Sequence, residues 1–342
     1  LATLGYSYNG DPRSSPNIVF PPLYPLLARL LAACSPLSTR WALHLLSYAA
    51  FAGGLVLLQR ALRGWYGQRA AWWAVVGLAF APGAFAWHSA YSESLFLLEL
   101  AWALLALQQG RHWQVALACA ALGATRTVAF PVCLVLGTWQ MVGAWRTWRA
   151  TPAAAPRPWR AVGERLAAFV VSGSGAALYL GYIWHAFGNP LVLLPQIQQA
   201  SWGAFHRSMA WWEWLSFAPL WHYTLAAFTR PGLPLADIRT VNLLCFLLSL
   251  AGCIWAVWRL RPWPVTLSFV AYFLFIWSAK GGTEYLNSGH RLLAVMLPIP
   301  LLVEDLHRRL TAAWRPVWAK LLAWGLLLLT AATAFIQTAR FA

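Results

Sequence analysis

Charged residues are scarce in this chain. They make up only 10% of its 342 residues, and just nine are acids, whereas hydrophobic residues make up 60%. A soluble protein of this length would carry more charge, and its helices would show amphipathic periods. Apolar runs of about twenty residues recur instead, and each is long enough to cross about 30 Å of hydrocarbon. The sequence therefore predicts an all-α, polytopic integral membrane protein.

Several signatures of soluble enzymes are also missing. The chain has no GxxxxGK[ST], no HExxH and no DxD, so neither a nucleotide-phosphate loop nor a metal-bound nucleotide sugar is indicated. We predict no cofactor; a divalent cation is left open, without support from the sequence. The five cysteines form no CxxC and lie mostly in apolar segments, which favours small packing residues over a disulfide framework.

The formal charge of +16 does not indicate nucleic-acid binding. The basic residues are scattered at the ends of apolar runs and form no stripe, which is typical of positive-inside topology. The segment 146–165 alone holds five arginines, and it predicts a cytoplasmic linker. Many of the 24 tryptophans also lie near the ends of apolar runs, where the ring anchors in the headgroup zone.

The apolar runs predict about 10–11 transmembrane helices in a single domain, 1–342. The candidate spans are 41–62, 70–87, 91–108, 113–124, 127–145, 162–187, 240–258, 264–279, 291–303 and 317–338. The stretch "FPPLYPLLARLLAAC" precedes them and predicts a helix lying at or dipping into the membrane interface. Segments 1–40 and 188–238 then become external loops with juxtamembrane helices.

Polar residues other than arginine collect on the predicted external side. They lie in segment 1–40, "WHSAYSE", "ATRT", segment 188–238 and "AKGGTEYLNSGHR". Loops held by a rigid scaffold are where chemistry usually lies, so this convergence predicts a site on that face.

Two acids lie in the apolar run 91–108. A carboxylate at membrane depth is costly, so Glu93 is expected to face a wet cavity or a partner. Its place in the first turn of a helix also permits a plain helix-start residue. Glu99 lies about 240° further around the helix, so the two acids cannot share a face. Glu99 is interpreted as a packing or relay acid.

Two arginines open apolar runs on the external side. Arg126 and Arg291 each present a planar fork suited to phosphate, and His290 and Lys280 strengthen that interpretation around Arg291. Snorkelling of either arginine to the interface is the alternative.

Four stretches together resemble one family. "FPPLYPLLARLL" (20–31), "SAYSESLFLL" (89–98), "GATRTVAFPV" (123–132) and "FGNPLVLLPQIQQASWG" (187–203) resemble motifs of bacterial relatives of the glycosylphosphatidylinositol mannosyltransferase II family. That family consists of polytopic GT-C-type glycosyltransferases. The resemblance also implies a further span and a loop whose Asp is the favoured catalytic residue of the family. Since "LATLGY" is similar to the end of that loop, this Asp is expected just before Leu1. Asn189 and Leu292 depart from the family pattern, which tends to have Asp and Tyr at those positions.

The resemblance implies transfer of a hexose, mannose in the family, from a polyprenyl-phosphate sugar to a lipid-linked or surface acceptor. It implies a bacterial plasma-membrane protein with its site on the periplasmic face. Arg126, His290 and Arg291 are the candidates for the donor phosphate, and Glu93 and Asp11 are the candidate catalytic carboxylates. Tyr91, Gln199 and Trp202 are candidates for contact with sugar or lipid.

Two other functions are compatible with the composition. A lipid-linked sugar flippase or small-molecule transporter would also collect polar residues in a membrane cavity, but it needs polar groups near the midplane and often inverted repeats, which we do not find. A non-catalytic lipid-binding subunit is the third interpretation.

Overall fold

The architecture is known from a computed structural model that describes residues 5–14, 16–81, 83–152, 155–202, 212–213, 238–278 and 293–313. Within these ranges the regular secondary structure is helical throughout, which confirms the predicted all-α class. The α-helices are α1 (Leu23–Ala33), α2 (Thr39–Ala79), α3 (Phe85–His88), α4 (Glu93–Gln108), α5 (His112–Thr125), α6 (Phe130–Ala150), α7 (Trp159–Phe187), α8 (Pro190–Trp202), α9 (Ile238–Arg259), α10 (Trp263–Ser278) and α11 (Pro298–Ala313). Three-residue 3-10 helices occupy Pro12–Ser14, Asn17–Val19, Thr127–Ala129 and Leu293–Val295.

Four helical segments of the described residues are long and apolar enough to cross a membrane. They are Thr39–Ala79, Thr127–Ala150, Trp159–Phe187 and Asn242–Arg259. Helix α4 is shorter and lies inside the bundle, with most of its residues buried. A helix that is apolar on all sides is expected to be buried in this way. The chain is therefore a multi-pass membrane protein; the predicted span 317–338 lies outside the described residues.

Helix α2 combines two predicted spans. Ser38 caps its first turn by accepting a hydrogen bond from the backbone N–H of Trp41. The helical path breaks at Gly67, whose φ of 83° is accessible to glycine at little cost. The break falls in the basic segment between the predicted spans 41–62 and 70–87, so the chain turns where the sequence becomes polar.

Three predicted segments differ from the structure in their boundaries. The span 70–87 ends at Ala79, and residues 85–88 form the separate short helix α3. The span 291–303 is replaced by a 3-10 turn and by α11, which begins at Pro298. Proline is favoured in the first helical turn because no N–H is needed there, so Pro298 and Pro300 shift the helix start toward the charged residues that follow. The connection between α6 and α7 is also shorter than segment 146–165, because α6 continues to Ala150 and α7 begins at Trp159.

Small residues let α5 and α7 approach closely. A Cβ at Gly175 would overlap the backbone carbonyl oxygen of Ala120, and a Cβ at Gly123 would press on the backbone of Ala176. Small residues at helix interfaces give this kind of contact in membranes. Helix α5 is thereby fixed against α7, and the residues at both its ends are positioned by that contact.

The N-terminal segment packs on the end of α7. The Tyr179 hydroxyl donates to the backbone oxygen of Ile18 at 2.7 Å, and the Tyr6 ring lies 5.6 Å from that of Tyr182. Helix α8 packs beside the same segment. Parts of the predicted external segments 1–40 and 188–238 therefore meet at one end of the bundle, which we call the Arg126 end after the residue that follows α5 there.

Candidate functional site

The start of α4 is anchored by a buried tryptophan. The Trp87 indole N–H donates to the backbone oxygen of Leu78 at 3.1 Å, and its ring stacks on Phe51 with centroids 5.6 Å apart. The Ser94 hydroxyl, in the first turn of α4, donates to the backbone oxygen of Trp87 at 2.9 Å. These contacts fix the turn before α4, so Glu93 is held at the first position of a buried helix.

Glu93 and Arg126 form an ion pair. The Arg126 Nη1 lies 2.6 Å from the Glu93 Oε1, and the two side chains are only 13% and 5% exposed. Arg126 follows α5 with an extended backbone, φ −151° and ψ 140°, before the 3-10 turn that leads into α6. This break in the helix directs the side chain across to α4. Two residues predicted separately as site residues are therefore brought together, and removal of one would leave a buried charge uncompensated.

Glu99 contacts the residue next to Arg126. The Thr125 hydroxyl donates to the Glu99 Oε1 at 2.8 Å, and both side chains are buried. Glu93 and Glu99 lie on different faces of α4, as their spacing predicts, yet they reach consecutive residues of the α5 end. Helix α4 thus places two carboxylates against the end of α5.

Helix α1 is connected to the same region by hydroxyl groups. The Tyr24 hydroxyl lies 2.8 Å from the Ser47 Oγ and 3.0 Å from the backbone oxygen of Leu43. The Ser47 hydroxyl also lies 3.3 Å from the backbone oxygen of Tyr91, two residues before Glu93. Tyr24 is close enough to Glu93 to interact with it electrostatically. Helices α1, α2 and α4 are therefore joined by a polar network beside the ion pair.

The other predicted site residues are less closely associated with this pair. The hydrogen bonds of Asp11 with described residues join it to Asn9, Arg13 and Ser14, and it is exposed. Tyr91 is 43% exposed, and its backbone oxygen is the atom that contacts the network. Gln199 and Trp202 lie in the last turn of α8. Lys280, His290 and Arg291 lie outside the described residues.

Four neighbours of the ion pair were not predicted as site residues: Tyr24, Ser47, Thr125 and Tyr272. Tyr272 of α10 stacks on Phe96 of α4, with centroids 5.8 Å apart, and interacts electrostatically with Arg126. Tyr24 and Thr125 belong to two of the quoted motifs, so the sequence did contain a signal for them. Ser47 and Tyr272 are ordinary members of apolar runs, and only packing identifies them.

In the part of the chain that the structure describes, no group of three or more His, Cys, Asp and Glu side chains is arranged to hold a metal ion.

Comparison with known proteins gives similarity at the level of fold. No protein-family model and no curated protein sequence matches the chain. A crystal structure of the Archaeoglobus fulgidus oligosaccharyltransferase, in complex with Zn and sulfate, is similar over 93% of this chain and 44% of that chain, with a TM-score of 0.52 and 17% identity. A structure of ArnT from Cupriavidus metallidurans in the apo state matches over 86% of this chain and 52% of that one, with a TM-score of 0.48 and 14% identity.

The oligosaccharyltransferase match supports a GT-C-like fold, which agrees with the fold expected from the sequence. The chain spans less than half the length of that protein. At 17% identity the likeness concerns the fold alone, so the function is argued from the residues.

Proposed function

We propose that the protein is a membrane glycosyltransferase that transfers a hexose from a polyprenyl-phosphate donor to a lipid-linked or surface acceptor. The observation that carries the proposal is the buried Glu93–Arg126 pair at the Arg126 end of the bundle. The GT-C-like fold supports the reaction class, and the similar protein of that fold is an oligosaccharyltransferase. Mannose as the sugar rests on the sequence resemblance.

The reaction needs a base and a cation. The acceptor hydroxyl oxygen forms a bond to the anomeric carbon of the sugar while the bond from that carbon to the donor phosphate oxygen breaks. The hydroxyl proton passes to a carboxylate, and the lipid phosphate leaves with the bonding electron pair. A fixed cation beside the leaving phosphate stabilises the charge that grows there.

Arg126 is the proposed cation for the leaving phosphate. Its guanidinium has more N–H groups than a single ion-pair contact uses, so it can hold Glu93 and still donate to phosphate oxygens. Glu93 is then a positioning residue, because its carboxylate contacts Arg126 and fixes the direction of the guanidinium. His290 and Arg291 are proposed as further phosphate ligands.

The base is a separate carboxylate. Glu93 is occupied by Arg126, and Glu99 is buried and bonded to Thr125, so neither is well suited to accept the acceptor proton. Asp11 is an exposed carboxylate in the N-terminal segment, which packs at the Arg126 end, and it is our candidate among the described residues. Tyr91, Gln199 and Trp202 are proposed to contact the sugar or the prenyl chain.

We further propose that the protein lies in a bacterial plasma membrane with the Arg126 end on the external face. The arginines near the opposite end of α6 and α7 support this orientation through the positive-inside rule.

A transfer assay tests the proposal. The full-length protein in liposomes is given labelled polyprenyl-phosphate mannose and a crude lipid acceptor pool, with the glucose donor in parallel. We expect label in a new lipid or surface product with the mannose donor. Label in product from glucose alone would overturn the sugar assignment. Movement of donor across the bilayer without any product would support the flippase instead.

A further inference from the structure

A second polar site lies at the other end of the bundle, where α5 and α7 begin and α6 ends. A cavity of about 240 Å³ opens there, and its polar and aromatic lining includes His112, Trp139, Arg146, Thr147 and Arg165. No acid is among the described residues that line it. The described lining therefore gathers two permanent cations and a histidine without a carboxylate.

The two arginines have no anionic partner in the part of the chain that the structure describes. Arg146 lies over the Trp139 ring, 4.8 Å from its centroid. Arg165 is half-buried, and its guanidinium lies against the backbone of Gly143, where a Cβ would overlap it. The one acid near it in sequence, Glu164, pairs with Arg160 at 3.2 Å. A phosphate that contacts both guanidinium groups would gain charge-assisted hydrogen bonds from each of them.

Two further features favour an anion. Arg165 is close enough to His112 for electrostatic interaction, so these two lining residues converge on one part of the cavity. Helix α5 begins at His112 with no acid in its first turn and no side-chain cap, so its free N–H groups and its dipole add positive potential. The Gln140 side chain is 1% exposed and lies within reach of His112, but it is not among the residues that line the cavity.

The position of the cavity indicates a lipid rather than a soluble anion. Arg149 lies 4.8 Å from the Trp145 ring centroid and Arg157 lies 4.9 Å from that of Trp148, both close to the turn between α6 and α7. Paired tryptophan and arginine side chains at helix ends are typical of headgroup depth. Basic pockets between membrane helices at that depth on the cytoplasmic side are suited to anionic headgroups.

We propose that this cavity binds the phosphate of an anionic phospholipid headgroup through Arg146, Arg165 and the start of α5. The occupant comes from the leaflet opposite the Glu93–Arg126 pair, so the site is separate from the proposed donor site. A bound phosphate would join α5, α6 and α7 at the end where their connecting segments lie. The site would then couple the stability of the bundle to the anionic lipid content of the membrane.

Native mass spectrometry of the full-length protein tests the proposal. The protein in mild detergent is titrated with phosphatidylglycerol and, separately, with phosphatidylcholine. The double variant Arg146→Gln/Arg165→Gln is expected to lower affinity for phosphatidylglycerol by about tenfold or more, since it removes two charge-assisted contacts. The matched double variant Arg149→Gln/Arg160→Gln removes the same charge at the same end and is expected to change affinity by no more than about twofold.

Other outcomes would overturn the proposal. Equal losses of affinity for phosphatidylglycerol in the two double variants would mean that general surface charge attracts the lipid. Stabilisation by inorganic phosphate without any preference for phosphatidylglycerol would mean that the anion is soluble. Gly143→Ala keeps every charge but displaces the Arg165 guanidinium, so it should weaken phosphatidylglycerol binding in a protein whose circular dichroism is unchanged. Wild-type binding by this variant would also contradict the proposed site.

Discussion

The two ends of the bundle hold their arginines differently. At the Arg126 end the guanidinium is paired with Glu93 at 2.6 Å, and both side chains are deeply buried. At the other end, Arg146 and Arg165 line a cavity without an acid. A cation that is paired with an acid keeps its geometry before any ligand arrives. A cation without an acidic partner has its charge neutralised only when an anion binds. The first arrangement suits a preorganised reaction site, and the second suits a site whose occupancy changes stability.

The largest expected effect comes from breaking the pair at the Arg126 end. Arg126→Gln leaves the Glu93 carboxylate buried without its counter-charge, so we expect a loss of about 3–5 kcal/mol in stability and a loss of transfer. Thermal unfolding in detergent, followed by size-exclusion chromatography, measures the loss of stability. The double variant Glu93→Gln/Arg126→Gln removes both charges and should recover most of the stability but not the transfer. An unchanged unfolding temperature for Arg126→Gln would contradict the pairing.

The next largest effect is expected at both ends of the bundle together. Gly175→Ala places a methyl group on the backbone of Ala120 and pushes α5 away from α7, at a cost of about 1–3 kcal/mol or more. Because α5 carries Arg126 after its last turn and His112 at its first, transfer and phosphatidylglycerol binding should decline together. Gly173→Ala is the matched control, since a Cβ there meets nothing within 4 Å. Loss of one property alone would show that the ends are not linked through α5.

A smaller effect is expected at the second carboxylate of α4. Thr125→Val removes the hydroxyl that donates to Glu99 and keeps the side-chain shape, at a cost of about 1–3 kcal/mol for the unsatisfied carboxyl group. Transfer should fall less than in Arg126→Gln. Thr151→Val is the control, because its hydroxyl bonds only to the oxygen of Thr147 in the preceding turn. Equal unfolding temperatures for the two variants would argue that the Glu99 contact contributes no stability.

The smallest effect is expected in the charge cluster of α11, where the buried Asp305 pairs with two exposed arginines. Burial raises the pKa of Asp305, but hydrogen bonds from Arg308, Trp255 and Arg309 outweigh it and lower the pKa from 3.8 to about 2. Both arginines are more than half exposed, so Asp305→Asn should cost no more than about 1 kcal/mol.

The sign of the pH dependence follows from this lowered pKa. The contribution of Asp305 is present above its unfolded pKa of 3.8 and is lost as the pH falls through about 2. The Asp305→Asn difference in unfolding temperature should therefore be the same in mildly acidic and neutral buffer. A difference that grew between those buffers would assign the effect to another group.

The sequence predicted the class of fold from local pattern. Apolar run length predicted spans that overlap the four long apolar helices of the described residues. The cost of a carboxylate in lipid singled out Glu93 as a candidate site residue. The pairing with Arg126 could not be predicted, because α4, a turn and α5 separate the two residues along the chain. They meet only through the packing of α4 on α5. The network of Tyr24 and Ser47 depends in the same way on how α1 lies on α2.

The cavity at the other end of the bundle could not be predicted from the sequence, for a different reason. Its arginines were interpreted through positive-inside topology, which accounts for charge at a helix end without reference to neighbours. Gln140 is an isolated polar residue in an apolar run, and His112 lies in the polar stretch before the span 113–124. Nothing in their spacing joins them to Arg165. The boundary at Pro298 was missed because periodicity and hydropathy do not register proline's preference for the first helical turn.

The measurement that tests the central claim most directly is steady-state transfer by Glu93→Gln, with Arg160→Gln as a control from the opposite end. If Glu93 positions Arg126 for the donor phosphate, the folded Glu93→Gln protein should lose about 100-fold in kcat/KM, and Glu93→Asp should recover part of that loss. Arg160→Gln should transfer at the wild-type rate. Wild-type transfer by folded Glu93→Gln would contradict the account.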